Sequence, residues 1–109
     1  MADKTASRAE RTSLKVVHLI FEGQFEAEVI GLLHREVEVT SYLRLNDVRG
    51  AHAIEREGRS AYRVDDRNSM IVVVCEERKA RQIMAGVERL RNRAGRGIHA
   101  YVTPAEDFV

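Results

Sequence analysis

The chain of 109 residues is long enough to bury one modest core and too short for two domains. Its composition, 44% hydrophobic and 32% charged, is ordinary for a globular protein, and its formal charge of +1 argues against a general nucleic-acid binder. Basic residues nevertheless concentrate between Arg78 and Arg96, where Glu88 is the only acid. This local excess predicts an anionic ligand or surface nearby.

The single cysteine, Cys75, excludes an internal disulfide and fits a reducing cytoplasm. It ends the apolar run MIVVVC, which favours a buried core thiol over a nucleophile. No apolar run approaches the roughly 20 residues of a membrane span, and no signal-peptide core follows the start, so we expect a cytoplasmic protein. Residues 1–13 are small, polar and charged, which predicts a disordered leader before a domain over residues 14–109.

The first half of the domain reads as strand, helix, strand. Residues 14–21 (LKVVHLIF) are apolar at nearly every position, which is typical of a buried strand. Gly23 ends that strand, and an amphipathic helix follows. The acids near its start, Glu22, Glu26 and Glu28, suit the positive end of the helix dipole. Its apolar positions are Phe25, Val29, Leu32, Leu33 and Val37. Residues 38–45 alternate apolar and polar side chains, which predicts a half-exposed strand.

The second half repeats the pattern. Residues 70–75 read as a buried strand, residues 76–90 as an amphipathic helix, and residues 98–103 as a strand that Pro104 ends. This βαββαβ order predicts the ferredoxin-like α+β fold, an antiparallel sheet with both helices on one face. Apolar side chains on the central strands make the other face unsuited to water, so we expect an oligomer.

The long segment between the two halves, residues 46–69, lacks a sustained helical or strand period. An irregular, mobile loop of this length is uncommon in a compact domain and is usually functional. The alternative is a longer hairpin of two extended strands with its turn near Glu57 and Gly58. Both interpretations leave a protruding tip that is suited to meeting partners.

Several functions that this fold hosts are disfavoured by the residues themselves. An RNA-recognition domain would carry paired aromatic side chains on the central strands, and MIVVVC has none. An acylphosphatase-like hydrolase would need an arginine-bearing anion loop after the first strand, where this chain has the acidic sequence FEGQFEAE. No Ser/His/Asp or Cys/His grouping occurs at informative spacing, so we predict that the protein is not an enzyme.

Three short motifs resemble those of the PII signalling superfamily. Residues 46–50 (NDVRG) are similar to the T-E-V-K-G entry into that family's long T-loop, and residues 62–65 (YRVD) are similar to the Y-x-V-D at its far side. Residues 95–102 (GRGIHAYV) are similar to the G-D-G-K-I-F-V of the family's B-loop and following strand. The likeness runs from about residue 14 to residue 103, nearly the whole domain.

The resemblance implies a homotrimer that binds an adenine nucleotide in the clefts between subunits. A T-loop over about residues 49–68 would report the ligand to a transporter or an enzyme, and no further cofactor and no metal is implied. The implied nucleotide- and phosphate-binding residues are Gly95, Arg96, Gly97 and Gly50, followed by Arg49, Arg91 and Arg93. The implied partner-binding residues are His52, Arg56, Arg59 and Tyr62. Tyr62 also falls where nitrogen regulators carry a nucleotidylated tyrosine.

The glycine turn supports a phosphate site on physical grounds as well. Glycines let backbone N–H groups approach an anion, and the arginine guanidinium offers forked donors to phosphate oxygens. The alternative interpretation is a glycine that caps a helix, followed by solvated arginines.

Departures from the family pattern bear on the ligand. The B-loop lysine is missing, Arg96 replaces an aspartate, the loop is shorter, and the sequence ends at Val109 without the family's arginine-bearing last strand. These departures favour a mono- or diphosphate, a cyclic nucleotide or a small anion such as bicarbonate over a triphosphate. The chain looks like the divergent PII-like proteins that are linked to inorganic-carbon handling or ion transport.

Two other functions stay open at this point. A metal-handling trimer of the kind found beside heavy-metal efflux systems is suggested by the histidines alone, although they lack tight ligand spacing. Those histidines are His18, His34, His52 and His99. The other candidate is a structural trimer whose loop docks a partner without any ligand.

Overall fold

A computed structural model of the chain describes residues 13–56 and 58–109, and for residues 52, 54–56 and 59–67 it describes the backbone alone. Its strands are β1 (Leu14–Glu22), β2 (Leu43–Arg56), β3 (Arg59–Glu76) and β4 (Ile98–Pro104). The first helix, α1 (Glu26–Gly31), follows a 3-10 turn at Gly23–Phe25 and continues into a π-helical segment at Leu32–Glu36. The second helix is α2 (Glu77–Ala94). Of the predicted leader, residues 1–12 lie outside the described residues.

The four strands form one antiparallel sheet in the order β2-β3-β1-β4. Near the end of β1, Phe21 lies opposite Ser69 of β3 on one side and Ile98 of β4 on the other. The predicted ferredoxin-like α+β fold is therefore confirmed. The part of the chain that the structure describes contains no helix both long enough and apolar enough to cross a membrane.

The core lies between the sheet and the two helices. Alternate residues of β1, namely Val17, Leu19 and Phe21, are fully buried, as period-two strand geometry requires of the covered face. The helices contribute the apolar side chains that recur three and four residues apart. The fully buried members of this helical set are Val29, Leu33 and Ile83. Cys75 is buried at the edge of the same cluster, as predicted for a core thiol.

The second strand begins later than its sequence pattern predicts. The predicted strand over residues 38–45 is wrong at its start, because β2 begins only at Leu43. The backbone before it completes the helix end instead: the N–H groups of Val37 and Val39 donate to the carbonyls of Leu32 and Leu33 at 2.9 and 2.8 Å. Glu38 between them has a φ of 58°, a left-handed conformation that breaks any strand.

Residues 46–69 form a long two-stranded hairpin rather than an irregular loop. This was the alternative interpretation of the sequence, and Gly58 in the turn has a φ of 73°. Register shifts between Leu45 and Val48 and between Val48 and Gly50 bend the hairpin at its base. The hairpin arm gives the molecule extents of 61 × 27 × 23 Å. The predicted mobility of residues 49–68 stays a prediction.

The face of the sheet opposite the helices is apolar and uncovered, as the strand composition predicts. Leu43 and Leu45 of β2 are 69% and 49% exposed there, and Val74 of β3 is also exposed. His18 lies on this open face, where its ring stacks on Tyr101 with the ring centres 4.5 Å apart. Exposed aliphatic side chains on neighbouring strands favour burial against another surface.

Candidate functional site

The glycine turn after α2 and the base of the hairpin lie at the same end of the sheet. Glu22, the last residue of β1, lies opposite Asn68 of β3, and Asn68 in turn lies opposite Val48 of β2. The backbone N–H of Glu22 donates to the carbonyl oxygen of Gly97 at 2.9 Å. These pairings place two segments that the sequence motifs had marked separately, residues 46–50 and 95–97, at the same end of the sheet, about 14 Å apart across the ends of β3 and β1.

The backbone of the turn is held in a conformation that suits glycine. Gly95 has a φ of 84° and Gly97 a φ of 92°. The N–H of Gly95 donates to the carbonyl of Arg91 at 2.6 Å, so this glycine caps α2, as the alternative interpretation holds. Gly97 lies beyond that cap, and a side chain there would meet the Phe25 ring at 2.8 Å. The capping role therefore accounts for one glycine of the pair.

The arginines predicted to bind phosphate divide into two groups. Arg49 and Arg96 are exposed, and none of the residues that the structure describes pairs with either guanidinium. Arg91 instead donates from Nη1 to the carbonyl of Ile98 at 2.8 Å and lies 2.9 Å from His99 Nδ1. Arg93 pairs with Glu28 of α1 at 3.1 Å. Among the side chains that the structure describes, Arg49 and Arg96 are thus without a partner, whereas the other two arginines hold α2 against β4 and α1.

One side chain at the turn was missed by the sequence analysis. The carboxylate of Glu22 lies beside Gly97, with Oε2 3.0 Å from the position that a Cβ would take. Gln24 donates from Nε2 to the same oxygen at 3.2 Å. The sequence assigned Glu22 to the acids that favour a helix dipole. Its place in β1 depends on cross-strand pairing, which local patterns do not contain.

A polar cluster ties the base of the hairpin to the first helix. Arg44 forms an ion pair with Glu26 at the start of α1, and its Nε donates to Asn46 Oδ1 at 2.8 Å. The Ser69 hydroxyl donates to the same Asn46 oxygen at 3.4 Å, which links β3 to β2. The guanidinium carbon of Arg44 also lies 5.9 Å from the centre of the Phe21 ring. The base of the hairpin is thus held to α1 and within the sheet by contacts from both of its strands.

The predicted partner-binding residues lie in the two strands of the arm. In the backbone register Tyr62 is opposite Ala53, and Arg59 is opposite Arg56 next to the turn. His52 lies opposite residue 63. The side chains of His52, Arg56, Arg59 and Tyr62 lie outside the described residues, so their assignment to partner binding stays a prediction.

The metal alternative finds no support among the described residues. No three His, Cys, Asp or Glu side chains gather there in a way that could hold a metal ion. His34 Nε2 lies 2.9 Å from the Tyr42 hydroxyl, beside α1. His18 is stacked on Tyr101 on the open face of the sheet, away from α1 and His34.

Comparison with known proteins was made by sequence and by structure. No protein-family model and no curated protein matches the chain by sequence. Among solved structures, CPII bound to ADP, AMP and acetate, from Thiomonas intermedia K12, is similar with a TM-score of 0.65 and 21% identity, covering 88% of this chain and 89% of that one. GlnK of B. subtilis is similar with a TM-score of 0.61 and 14% identity, covering 84% of each chain. A DUF3240 family protein from Shewanella baltica OS155 is similar with a TM-score of 0.64 and 9% identity, covering 89% of this chain and 94% of that one.

The chain therefore shares its fold, over most of its length, with proteins described as PII-like. The resemblance drawn from the sequence motifs is confirmed at the level of the fold.

Proposed function

We propose that this protein is a PII-like regulatory protein that binds an adenine nucleotide at the glycine turn and reports its occupancy through the hairpin arm. The observation that carries the proposal is that residues 95–97 and the hairpin base lie at the same end of the sheet, as the Glu22–Gly97 hydrogen bond and the Glu22–Asn68 and Asn68–Val48 pairings show. A ligand as long as a nucleotide can reach from the anchoring turn across the ends of β1 and β3 to the arm. CPII of the same fold has been solved bound to ADP, AMP and acetate and to ADP and bicarbonate.

The ligand's phosphate is the part that the described residues suit best. Gly97 places its backbone in a left-handed turn with one side against Phe25 and Glu22, whereas a Cβ on Gly50 would meet open space, so phosphate oxygens have room to approach the hairpin base. The free guanidinium groups of Arg96 and Arg49 supply charge-assisted hydrogen bonds. The protein's task at this site is binding, and we propose no catalytic step. A mono- or diphosphate, with or without bicarbonate, is the ligand that we favour over a triphosphate.

Reporting follows from the construction of the arm. The hairpin base contains two register shifts and Asp47 with a φ of 56°, so its direction depends on a few local contacts. A phosphate that recruits Arg49 or packs on Gly50 changes those contacts and redirects the arm. The arm then meets a membrane transporter or an enzyme in the cytoplasm, with Tyr62 and its neighbours as the contacting segment.

Assembly is part of the proposal, because the apolar open face needs a cover. We propose a homotrimer in which the open faces of three sheets pack together and the nucleotide lies between neighbouring subunits. Leu45→Asp places a charge on this face and should yield monomers in light scattering after size-exclusion chromatography. Gln82→Asp places the same charge on the exposed side of α2 and should leave the assembly intact. A monomeric wild-type protein at micromolar concentration would contradict the trimer.

Calorimetric titration with AMP, ADP, ATP and cyclic AMP, with and without bicarbonate, tests the binding function. Arg96→Ala should weaken nucleotide binding by about 10- to 100-fold, the range expected for a lost hydrogen bond to a charged group. Arg78→Ala is the matched control, because Arg78 is equally exposed and lies at the opposite end of α2, beside Glu76. Silence across the panel at millimolar ligand, from a folded protein, would overturn the proposal.

A further inference from the structure

The carboxylate of Glu22 faces the turn at which the phosphate is proposed to bind. Its Cδ and Oε2 lie 3.1 and 3.0 Å from the position of a Cβ on Gly97, and its backbone N–H is bonded to the carbonyl of that glycine. The backbone of Glu22 is therefore held beside the turn, and Gln24 donates to its carboxylate. An acidic group at an anion site calls for an explanation.

No cation offsets this carboxylate in the part of the chain that the structure describes. Its side-chain partner is the neutral amide of Gln24. The next two acids along the chain are both neutralised, since Glu26 pairs with Arg44 and Glu28 pairs with Arg93. Of these three acids, Glu22 is thus the one without a basic partner among the described side chains, while Glu26 and Glu28 are in ion pairs.

The formal charges around the site come close to cancelling. Of the charged side chains that the structure describes there, Arg96 and Arg49 are the cations without an acidic partner, and Glu22 and the exposed Asp47 are the acids without a basic one. A ligand with one phosphate is held by the guanidinium forks at short range, whereas each additional phosphoryl group brings more negative charge toward Glu22. Repulsion between like charges a few ångströms apart grows with every charge that is added.

From this geometry we infer that Glu22 is a specificity-determining residue, which selects nucleotides of low charge and rejects triphosphates. The inference rests on the proposed nucleotide site and names the ligand class of that site. The missing B-loop lysine is a different explanation of weak triphosphate binding, whereas this inference assigns the selectivity to a residue that is present. Neutralising Glu22 should therefore relax the selectivity.

A metal-binding role for Glu22 would give a different result in the titration. If Glu22 instead shared a divalent cation with a polyphosphate, Mg²⁺ would strengthen ATP binding and loss of the carboxylate would weaken it. Repulsion predicts instead that loss of the carboxylate strengthens ATP binding in metal-free buffer. The sign of the change in ATP affinity therefore separates the two.

The test is titration of wild-type protein and Glu22→Gln with AMP and ATP, first in EDTA and then with Mg²⁺. Glutamine keeps the backbone bond and the side-chain shape, and a thermal melt checks that the variant is folded. We expect the ratio of ATP to AMP affinity to rise roughly tenfold in Glu22→Gln in EDTA, and the gain to shrink as salt is raised.

Glu38→Gln is the matched control. Glu38 follows the end of the first helical segment, and its carbonyl accepts from Lys79 in the first turn of α2. The glycine turn follows the other end of that helix, about 25 Å away by the helical rise per residue. This variant removes the same charge and should leave the affinity ratio unchanged.

The outcomes distinguish the two levels of the argument. Two results overturn the role of Glu22: an ATP-to-AMP affinity ratio that is the same in Glu22→Gln as in the wild type, or weaker ATP binding by Glu22→Gln than by the wild type in Mg²⁺. The proposed nucleotide site still stands in either case if AMP binds. A wild-type protein that binds neither nucleotide overturns the proposed function and this inference with it.

Discussion

The two glycines of the turn provide a matched pair of substitutions. Gly95→Ala and Gly97→Ala both place a Cβ on a residue with φ between 84° and 92°, a cost of about 1–2 kcal/mol for a side chain in the left-handed region. At Gly95 the new Cβ would meet nothing within 4 Å. At Gly97 it would lie 2.8 Å from Phe25 Cε2 and 3.0 Å from Glu22 Oε2. Overpacking of this kind costs about 1–3 kcal/mol more.

We therefore expect Gly95→Ala to lower the free energy of unfolding by about 1–2 kcal/mol and Gly97→Ala by about 2–5 kcal/mol. Urea denaturation followed by circular dichroism measures both, with an unchanged slope showing that the unfolded state is unaffected. Phe25→Leu in the Gly97→Ala background should recover part of the loss, since it withdraws the nearest atom. Equal losses at the two positions, or a larger loss at Gly95, would refute the packing argument.

Three further predictions concern residues outside the turn. A double-mutant cycle between Arg44→Ala and Glu26→Gln should give a coupling below about 1 kcal/mol, because both side chains are partly exposed. Gly86→Ala places a Cβ against the methyl groups of Leu32 and should cost about 1–3 kcal/mol in urea denaturation, and the same substitution made in a Leu32→Ala background should cost less, because the clashing methyl groups are gone.

Burial raises the pKa of the Cys75 thiol, so the folded state holds that proton more tightly than the unfolded chain. Its stability contribution is complete at neutral pH and should be lost as pH rises past the thiol's ordinary range, a trend that Cys75→Ala removes in thermal melts against pH.

Most of the fold was predictable because its signals are local. The apolar run ending at Phe21 and the helical spacing of Val29 and Leu33 identify a buried strand and a helix without reference to the rest of the chain. The second strand was predicted too early for the same reason. Its alternation begins at Val39, but the backbone there completes a helix end, and Glu38 adopts a left-handed conformation that no periodicity reports.

The candidate site was predictable only in part. Glycine spacing identified Gly95 and Gly97, and motif order identified the hairpin base. The location of Glu22 beside Gly97 depends on a hydrogen bond between residues far apart in sequence. The partners of Arg91 and Arg93 likewise come from neighbouring elements, which explains why a basic run in the sequence divides into free and paired arginines in the fold.

The position of β1 in the sheet bears on how the chain folds as it is synthesised. Lys15 of this first strand pairs with Cys75 on one side and with Pro104 on the other. Of the four strands, β1 is made first, and its pairing is complete only when β4 has been made. The strands β2 and β3 are joined by a short connection and pair as soon as both are made. An incomplete chain exposes one edge of its most apolar strand. Nascent chains that stall before β4 should consequently be the form of this protein that most needs a chaperone.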